Sequence, residues 1–173
     1  MTPREFVKTY LPFARACEQK SRISAAFTLA QAALESAWGE AAPGNMFFGV
    51  KDSDGINGNE QLLRTTEYSQ RSDLQFPEII SVEPVIRNGQ KYFKYVVKDY
   101  FRKYDTPEDC FNDHAQFFYK NGRYRYAIGV ANNPYQMAIQ VAKAGYATDP
   151  DYEQKLIGVI KTIENEINKI QTS

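Results

Sequence analysis

The sequence predicts an α+β fold in which a mainly helical lobe carries a small β-hairpin lobe, with a cleft between them. Three observations predict it. Helical periodicity with capping signatures fills both ends of the chain, from Thr2 to Trp38 and from Thr106 onward. The stretch between, about 41–103, loses that periodicity and becomes rich in β-formers punctuated by glycine and asparagine. Asn88-Gly89 joins two β-rich runs and is a strong two-residue hairpin signal. At 173 residues the chain is read as one domain with a single core.

Thr2-Pro3-Arg4-Glu5 has the form of a capping box with proline at the first helical position. A first helix is expected over 3–19, with Phe6, Tyr10, Phe13 and Cys17 as its core stripe and a kink or break at Pro12. Ser24 caps a second helix running toward Trp38 and stopped by Gly39. Phe47–Lys51 reads as a short extended piece, and 52–59 as a turn-rich loop. Strands are expected over 61–68, 79–87 and 91–101. Thr106-Pro107-Glu108-Asp109 starts a helix to about Lys120, with Phe111, Ala115 and Phe118 inward. A short helix over 122–130 follows. Asn133-Pro134 opens another that Gly145 closes. Asp149-Pro150 opens the last, with Asp149 as its N-cap and Tyr152, Leu156, Val159, Ile160, Ile163 and Ile167 at helical spacing.

Composition removes several function classes. Formal net charge is zero, so no electrostatic case exists for nucleic acid or for anionic membrane surfaces. No apolar run approaches a membrane-spanning length. The one histidine, His114, rules out a multi-histidine metal site. Its neighbour at helical spacing, Cys110, comes without a companion motif, so a buried thiol and a half-buried imidazole are expected, and no metal or cofactor. Asp52-Ser-Asp-Gly-Ile-Asn-Gly-Asn has half the pattern of a calcium loop but lacks its closing glutamate and flanking helices. Cys17 and Cys110 are expected to be free buried thiols. Met1 to Glu5 reads as a helix start, so no signal peptide is expected in this chain.

The chemistry is expected on the second helix. Wound at 100° per residue, it places Ile23, Ala26, Phe27, Ala30, Ala33, Leu34 and Ala37 on one arc. The opposite stripe holds Ser24, Thr28, Gln31 and Glu35, with no lysine or arginine. Such an uncharged strip suits the lining of a cleft better than a solvated face. Glu35 stands in the last turn, where the helix dipole disfavours an anion, and Trp38 and Met46-Phe47-Phe48 follow closely. Dipole and desolvation both raise its pKa, which suits a general acid. Glycoside hydrolysis needs a second carboxylate, and Glu67, Glu60, Glu78 and Glu83 are all candidates in the β-rich part.

Four segments together resemble glycoside hydrolase family 73. They are Thr28-Leu-Ala-Gln-Ala-Ala-Leu-Glu35-Ser-Ala-Trp-Gly39, Asn45-Met-Phe-Phe-Gly49-Val-Lys51, Thr65-Thr-Glu67-Tyr68 and Ala144-Gly-Tyr146-Ala-Thr-Asp149-Pro150. The resemblance spans nearly the whole chain and implies a lysozyme-like fold. It implies cleavage of the bond between N-acetylglucosamine and N-acetylmuramic acid in peptidoglycan. It also implies Glu35 as general acid, Glu67 as second carboxylate, and Tyr146 near the reaction centre. Gln31, Trp38, Asn45, Phe48, Tyr68, Tyr124 and Tyr126 complete the expected substrate-binding set. The implied partner is the peptidoglycan glycan strand, met by a monomer in the cell envelope or outside the cell. Ser69 to Asn88 is longer than the short turn common in the family. Rival readings are a lytic transglycosylase or a lysozyme-type muramidase using Glu35 alone, and a glycan-binding module without catalysis.

Overall fold

The computed structural model describes residues 1–173, which divide into two compact units. One comprises Met1–Phe48 and Tyr104–Ser173, the other Gly49–Lys103. Six α-helices form the first unit and a three-stranded antiparallel sheet the second, so the α+β class holds.

In the helical unit, α1 spans Pro3–Ser21. The Thr2 hydroxyl accepts the Glu5 amide and the Glu5 carboxylate accepts the Thr2 amide, which completes the expected capping box. The helix runs unbroken through Pro12, whose ring stands on the exposed side. Its buried face is Phe6, Val7, Leu11, Ala14 and Cys17, while Tyr10 and Phe13 are only half-buried. The stripe therefore lies one position away from the expected one, because Val7, Leu11 and Ala14 take the inward positions.

Helix α2 spans Ala25–Glu35, and every residue from Ala25 to Ala33 is buried. The absence of basic residues foretold this central position. The helix stops at Glu35, three residues before the expected end. The Ser36 hydroxyl donates to the Ala32 carbonyl and accepts the Gly39 amide at 2.9 Å, and the Trp38 amide bonds the Ala33 carbonyl at 2.8 Å. These bonds hold Ala37, Trp38 and Gly39 at φ of 50, 57 and 84°. Left-handed backbone at two residues that are not glycine costs on the order of 1–2 kcal/mol each. Residues 41–48, expected with the β-rich part, belong to the helical unit, where Phe47 packs on Tyr10 and Phe111.

Helix α3 spans Pro107–Lys120, capped by Thr106 as expected. The short helix expected over 122–130 is a 3-10 turn, Gly122–Tyr124, leading into α4, Arg125–Gly129. Helix α5 spans Pro134–Lys143, and Asn133 caps it by accepting two backbone amides. Helix α6 spans Tyr152–Gln171 and buries Tyr152, Leu156, Ile160 and Ile163. Asp149 is not its N-cap. It sits two residues before the actual N-cap, Asp151, accepting the Asp151 amide at 2.9 Å and pairing with Lys155. Helix α2 packs against α1, α5 and α6, which makes it the axis of this unit.

In the sheet unit, β1 spans Glu60–Ser69, β2 Glu78–Arg87 and β3 Gln90–Arg102, in the order β1-β3-β2. Arg87 pairs with Gln90 across the turn, and Asn88 and Gly89 take φ of 51 and 75°, as a primed two-residue turn requires. The register sets Glu67 opposite Tyr95 on β3, which is buried. Strand β2 is exposed along nearly its whole length. The acidic loop 52–59 closes on the Arg102 guanidinium, which lies 2.9 Å from Asp54 and 3.5 Å from Asp52.

Candidate active site

Glu35 is the last residue of α2, so its backbone is fixed by the buried helix while its side chain leaves the core. The residue has an exposed surface, and neighbouring side chains still strip water from its carboxyl. That desolvation raises its pKa above the ordinary glutamate value. The Tyr152 hydroxyl opposes the shift by donating to Oε1 at 3.2 Å, a bond that favours the anion. No charged side chain contributes. The carboxyl is therefore balanced between a force that holds its proton and one that receives the charge after release.

Behind Glu35 lies a hydrogen-bonded line of buried groups. Gln31, one turn earlier on α2, is 0% exposed. Its Nε2 donates to the Tyr152 oxygen at 2.9 Å, and its Oε1 lies 2.7 Å from His114 Nε2. Burial among rings pushes the His114 pKa down to about 3, so the imidazole is neutral. His114 is stacked on Phe48 at 3.6 Å between centroids and 9° between planes, with Phe117 parallel beyond it at 6.0 Å. The Tyr146 ring lies 5.7 Å from that of Tyr152, and burial together with Tyr152 and Glu35 holds its phenol un-ionised.

Several expected binding residues are placed otherwise. Gln31 cannot touch a ligand, because it is fully enclosed and both ends of its amide are engaged. Tyr124 is 2% exposed and packs beneath Phe117, Phe118 and Tyr146, so it belongs to the core. Asn45 pins backbone, with Nδ2 donating to the carbonyls of Tyr104 and Asp105. Phe48 is half-buried, one face covered by His114. Trp38 is half-buried with its ring edge-on to Phe6. Tyr126 is 65% exposed and available. Phe117, 41% exposed and next to Tyr146, is a flat surface the sequence reading missed.

Glu67 lies in the sheet unit, on β1. Its Oε1 is 2.7 Å from Lys51 Nζ, and the same ammonium lies 3.1 Å from Asp99. Lys51 is held at that spot by an isolated bridge to Phe101 on β3, and its ammonium lies 6.0 Å from the Phe76 ring. Tyr68, the next residue of β1, is exposed, with the Arg87 guanidinium 3.9 Å above its ring. Lys51 was within a segment singled out from the sequence, but its pairing with Glu67 is visible only once the strands are in register.

A model of the family described as Glucosaminidase, mannosyl-glycoprotein endo-beta-N-acetylglucosaminidase, matches residues 11–165. The chain belongs to this family. Glucosaminidases are glycoside hydrolases, in keeping with the resemblance to family 73. The chain is 31% identical over 164 residues to the peptidoglycan hydrolase FlgJ of Escherichia coli (strain K12), covering 91% of this chain and 45% of that protein. It is 29% identical over 167 residues to FlgJ of Pseudomonas aeruginosa, covering 92% of this chain and 36% of that protein. The chain thus spans less than half the length of these curated relatives. Among solved structures, it resembles a C-terminally truncated glycoside hydrolase domain of Salmonella typhimurium FlgJ. The TM-score is 0.70 at 29% identity, with 95% of this chain and 99% of that one covered. A peptidoglycan hydrolase mutant from Sphingomonas sp. A1 gives a TM-score of 0.68 at 28% identity, with 96% and 99% covered.

Proposed function

We propose that this glucosaminidase hydrolyses the glycan strand of peptidoglycan at the bond between N-acetylglucosamine and N-acetylmuramic acid. The observation that carries the reading is Glu35, whose desolvated carboxyl receives the Tyr152 hydroxyl at the end of the central helix of the helical unit. The family membership and the FlgJ relatives support peptidoglycan over a glycoprotein glycan. In this reading Glu35 protonates the leaving-group oxygen. Glu67, kept beside the Lys51 ammonium, is the second carboxylate, activating water or stabilising the developing positive charge on the sugar. Tyr146 presents its un-ionised phenol to the substrate near Glu35. Phe117, Tyr126 and Tyr68 supply exposed rings for sugar faces.

Both units serve one catalytic domain, acting as a monomer in the cell envelope or outside the cell, where its substrate is found. No helix is long and apolar enough to cross a membrane. The decisive experiment digests purified peptidoglycan with the protein and with Glu35→Gln, following new reducing ends and the masses of the fragments. Hydrolysis at this bond leaves reducing N-acetylglucosamine termini. Fragments lighter by one water, with an anhydro sugar, mean a lytic transglycosylase, and reducing N-acetylmuramic acid means a muramidase.

A further inference from the structure

Tyr152 has one proton to give and two neighbours that could take part in the exchange. Its oxygen stands 2.9 Å from Gln31 Nε2 and 3.2 Å from Glu35 Oε1. An amide N–H can only donate, so with this orientation of Gln31 the phenol accepts from the amide and must turn its own proton toward Glu35. Were the amide reversed, its oxygen would compete for the phenol proton and Glu35 would lose its donor. The orientation of Gln31 is therefore a switch in the polarity of the whole line.

His114 decides that orientation. Its Nε2 faces Gln31 Oε1 at 2.7 Å, and Nδ1 makes no hydrogen bond to the protein. Placing the ring proton on Nδ1 would leave that donor without a protein partner, and would make Nε2 an acceptor facing an acceptor at 2.7 Å. The proton on Nε2 satisfies both groups. The line then reads in one direction, from His114 to Gln31 to Tyr152 to Glu35. It joins α3, α2 and α6, and its first three members are buried.

We infer that Gln31 and His114 are positioning residues for the catalytic acid. They aim the Tyr152 phenol at Glu35 Oε1 and so leave Oε2 as the oxygen that carries the transferable proton. Neither residue touches substrate; each acts through Tyr152. The groups facing the Glu35 carboxyl are Tyr152 from α6 and Tyr146 from the loop before it, and Tyr124 and Cys110 stand behind those phenols. No lysine, arginine or second carboxylate acts on it, so a change in its titration reports this line directly. The inference rests on Glu35 being the acid of the proposed reaction, but its test needs no substrate.

The experiment follows the Glu35 side-chain carbon by NMR in protein labelled at glutamate, as pH is varied. The variants are Tyr152→Phe, Gln31→Met, their combination, and His114→Phe, which keeps a ring against Phe48 while removing the donor. Tyr152→Phe deprives the anion of a hydrogen bond, so Glu35 titrates at higher pH, its acid dissociation constant falling about three- to tenfold. Gln31→Met and His114→Phe shift it in the same direction by a smaller factor. The combined variant matches Tyr152→Phe alone, because Gln31 acts only through the phenol. A wild-type titration in Gln31→Met, or factors that multiply in the combined variant, overturns the inference. If Gln31→Met does not fold, an unshifted titration in His114→Phe overturns it equally. Failure of peptidoglycan cleavage by the wild-type protein would instead sink the proposed function and leave these titrations standing.

Discussion

The phenol of Tyr152 and the carboxyl of Glu35, 117 residues apart in sequence, meet at 3.2 Å. One begins the last helix and the other ends the central one. This joint ties the chemistry of the acid to the packing of the helical core, and consequences for activity and for stability both follow from it.

Glu35→Gln keeps the side chain's shape and removes its proton. Activity on peptidoglycan should fall by at least about a hundredfold. Stability should move the other way. Desolvation raises the folded-state pKa above the ordinary value, so the native carboxyl holds its proton more tightly than the unfolded chain does. Its contribution to stability is complete below the ordinary glutamate value and is lost as pH rises through the folded pKa. Thermal unfolding at pH 7 should therefore show Glu35→Gln at least as stable as wild type, with that advantage shrinking toward pH 4.

Lys51 holds Glu67 and Asp99 with one ammonium on a half-exposed surface. Ion pairs of this kind are worth about 0–1 kcal/mol, so Lys51→Met should leave the unfolding temperature nearly unchanged. Turnover should fall roughly tenfold, because Glu67 loses the partner that fixes its position. Lys51→Arg should recover much of it. Equal turnover in wild type and Lys51→Met would remove Glu67's positioning from the mechanism.

Gly39 has φ of 84°, and a Cβ there would stand 3.4 Å from the Tyr10 ring and 3.5 Å from that of Phe6. Gly39→Ala should destabilise the protein by about 1–2 kcal/mol, a drop of roughly 2–8 °C in unfolding temperature. Turnover should fall as well, since the turn begins one residue after Glu35. A thermal melt and a reducing-end assay on the same sample read both effects.

Cys17 and Cys110 are free and buried, and desolvation pushes the Cys110 thiol up to about 12. Neither should react with an aromatic disulfide reagent at pH 8 until denaturant is added. Rapid labelling of the native protein would show that the helical unit opens around α1 and α3 far more often than this packing implies.

How much of this was legible beforehand depended on the range of the signal. The caps at Thr2, Ser24, Thr106 and Asn133, and the Asn88-Gly89 turn, are local chemistry, and the structure places them as expected. The uncharged stripe of α2 announced a buried helix. It misled about Gln31, because a polar residue on a buried face is as well satisfied by distant side chains as by a ligand. Those partners, His114 and Tyr152, lie 83 and 121 residues away, beyond the reach of any periodicity. Asp149 failed as a cap for a smaller reason: its carboxylate stands two residues before the N-cap position and accepts the amide of the N-cap residue, Asp151, itself. Lys51 became visible only through the strand register.

Strand β2 lies at one edge of the three-stranded sheet, with Ile79, Ile80, Val82 and Ile86 facing water and Ile86 72% exposed. So little apolar surface is withdrawn there that the strand adds little cohesion beyond its ladder with β3. Amide protons along β2 should exchange with deuterium long before those of α2, and Pro84 offers no donor to a neighbouring chain's strand. An outer hairpin held so lightly can lengthen, shorten or change its sequence over evolutionary time while the helices keep their shape, which makes it the natural place for related enzymes to diverge.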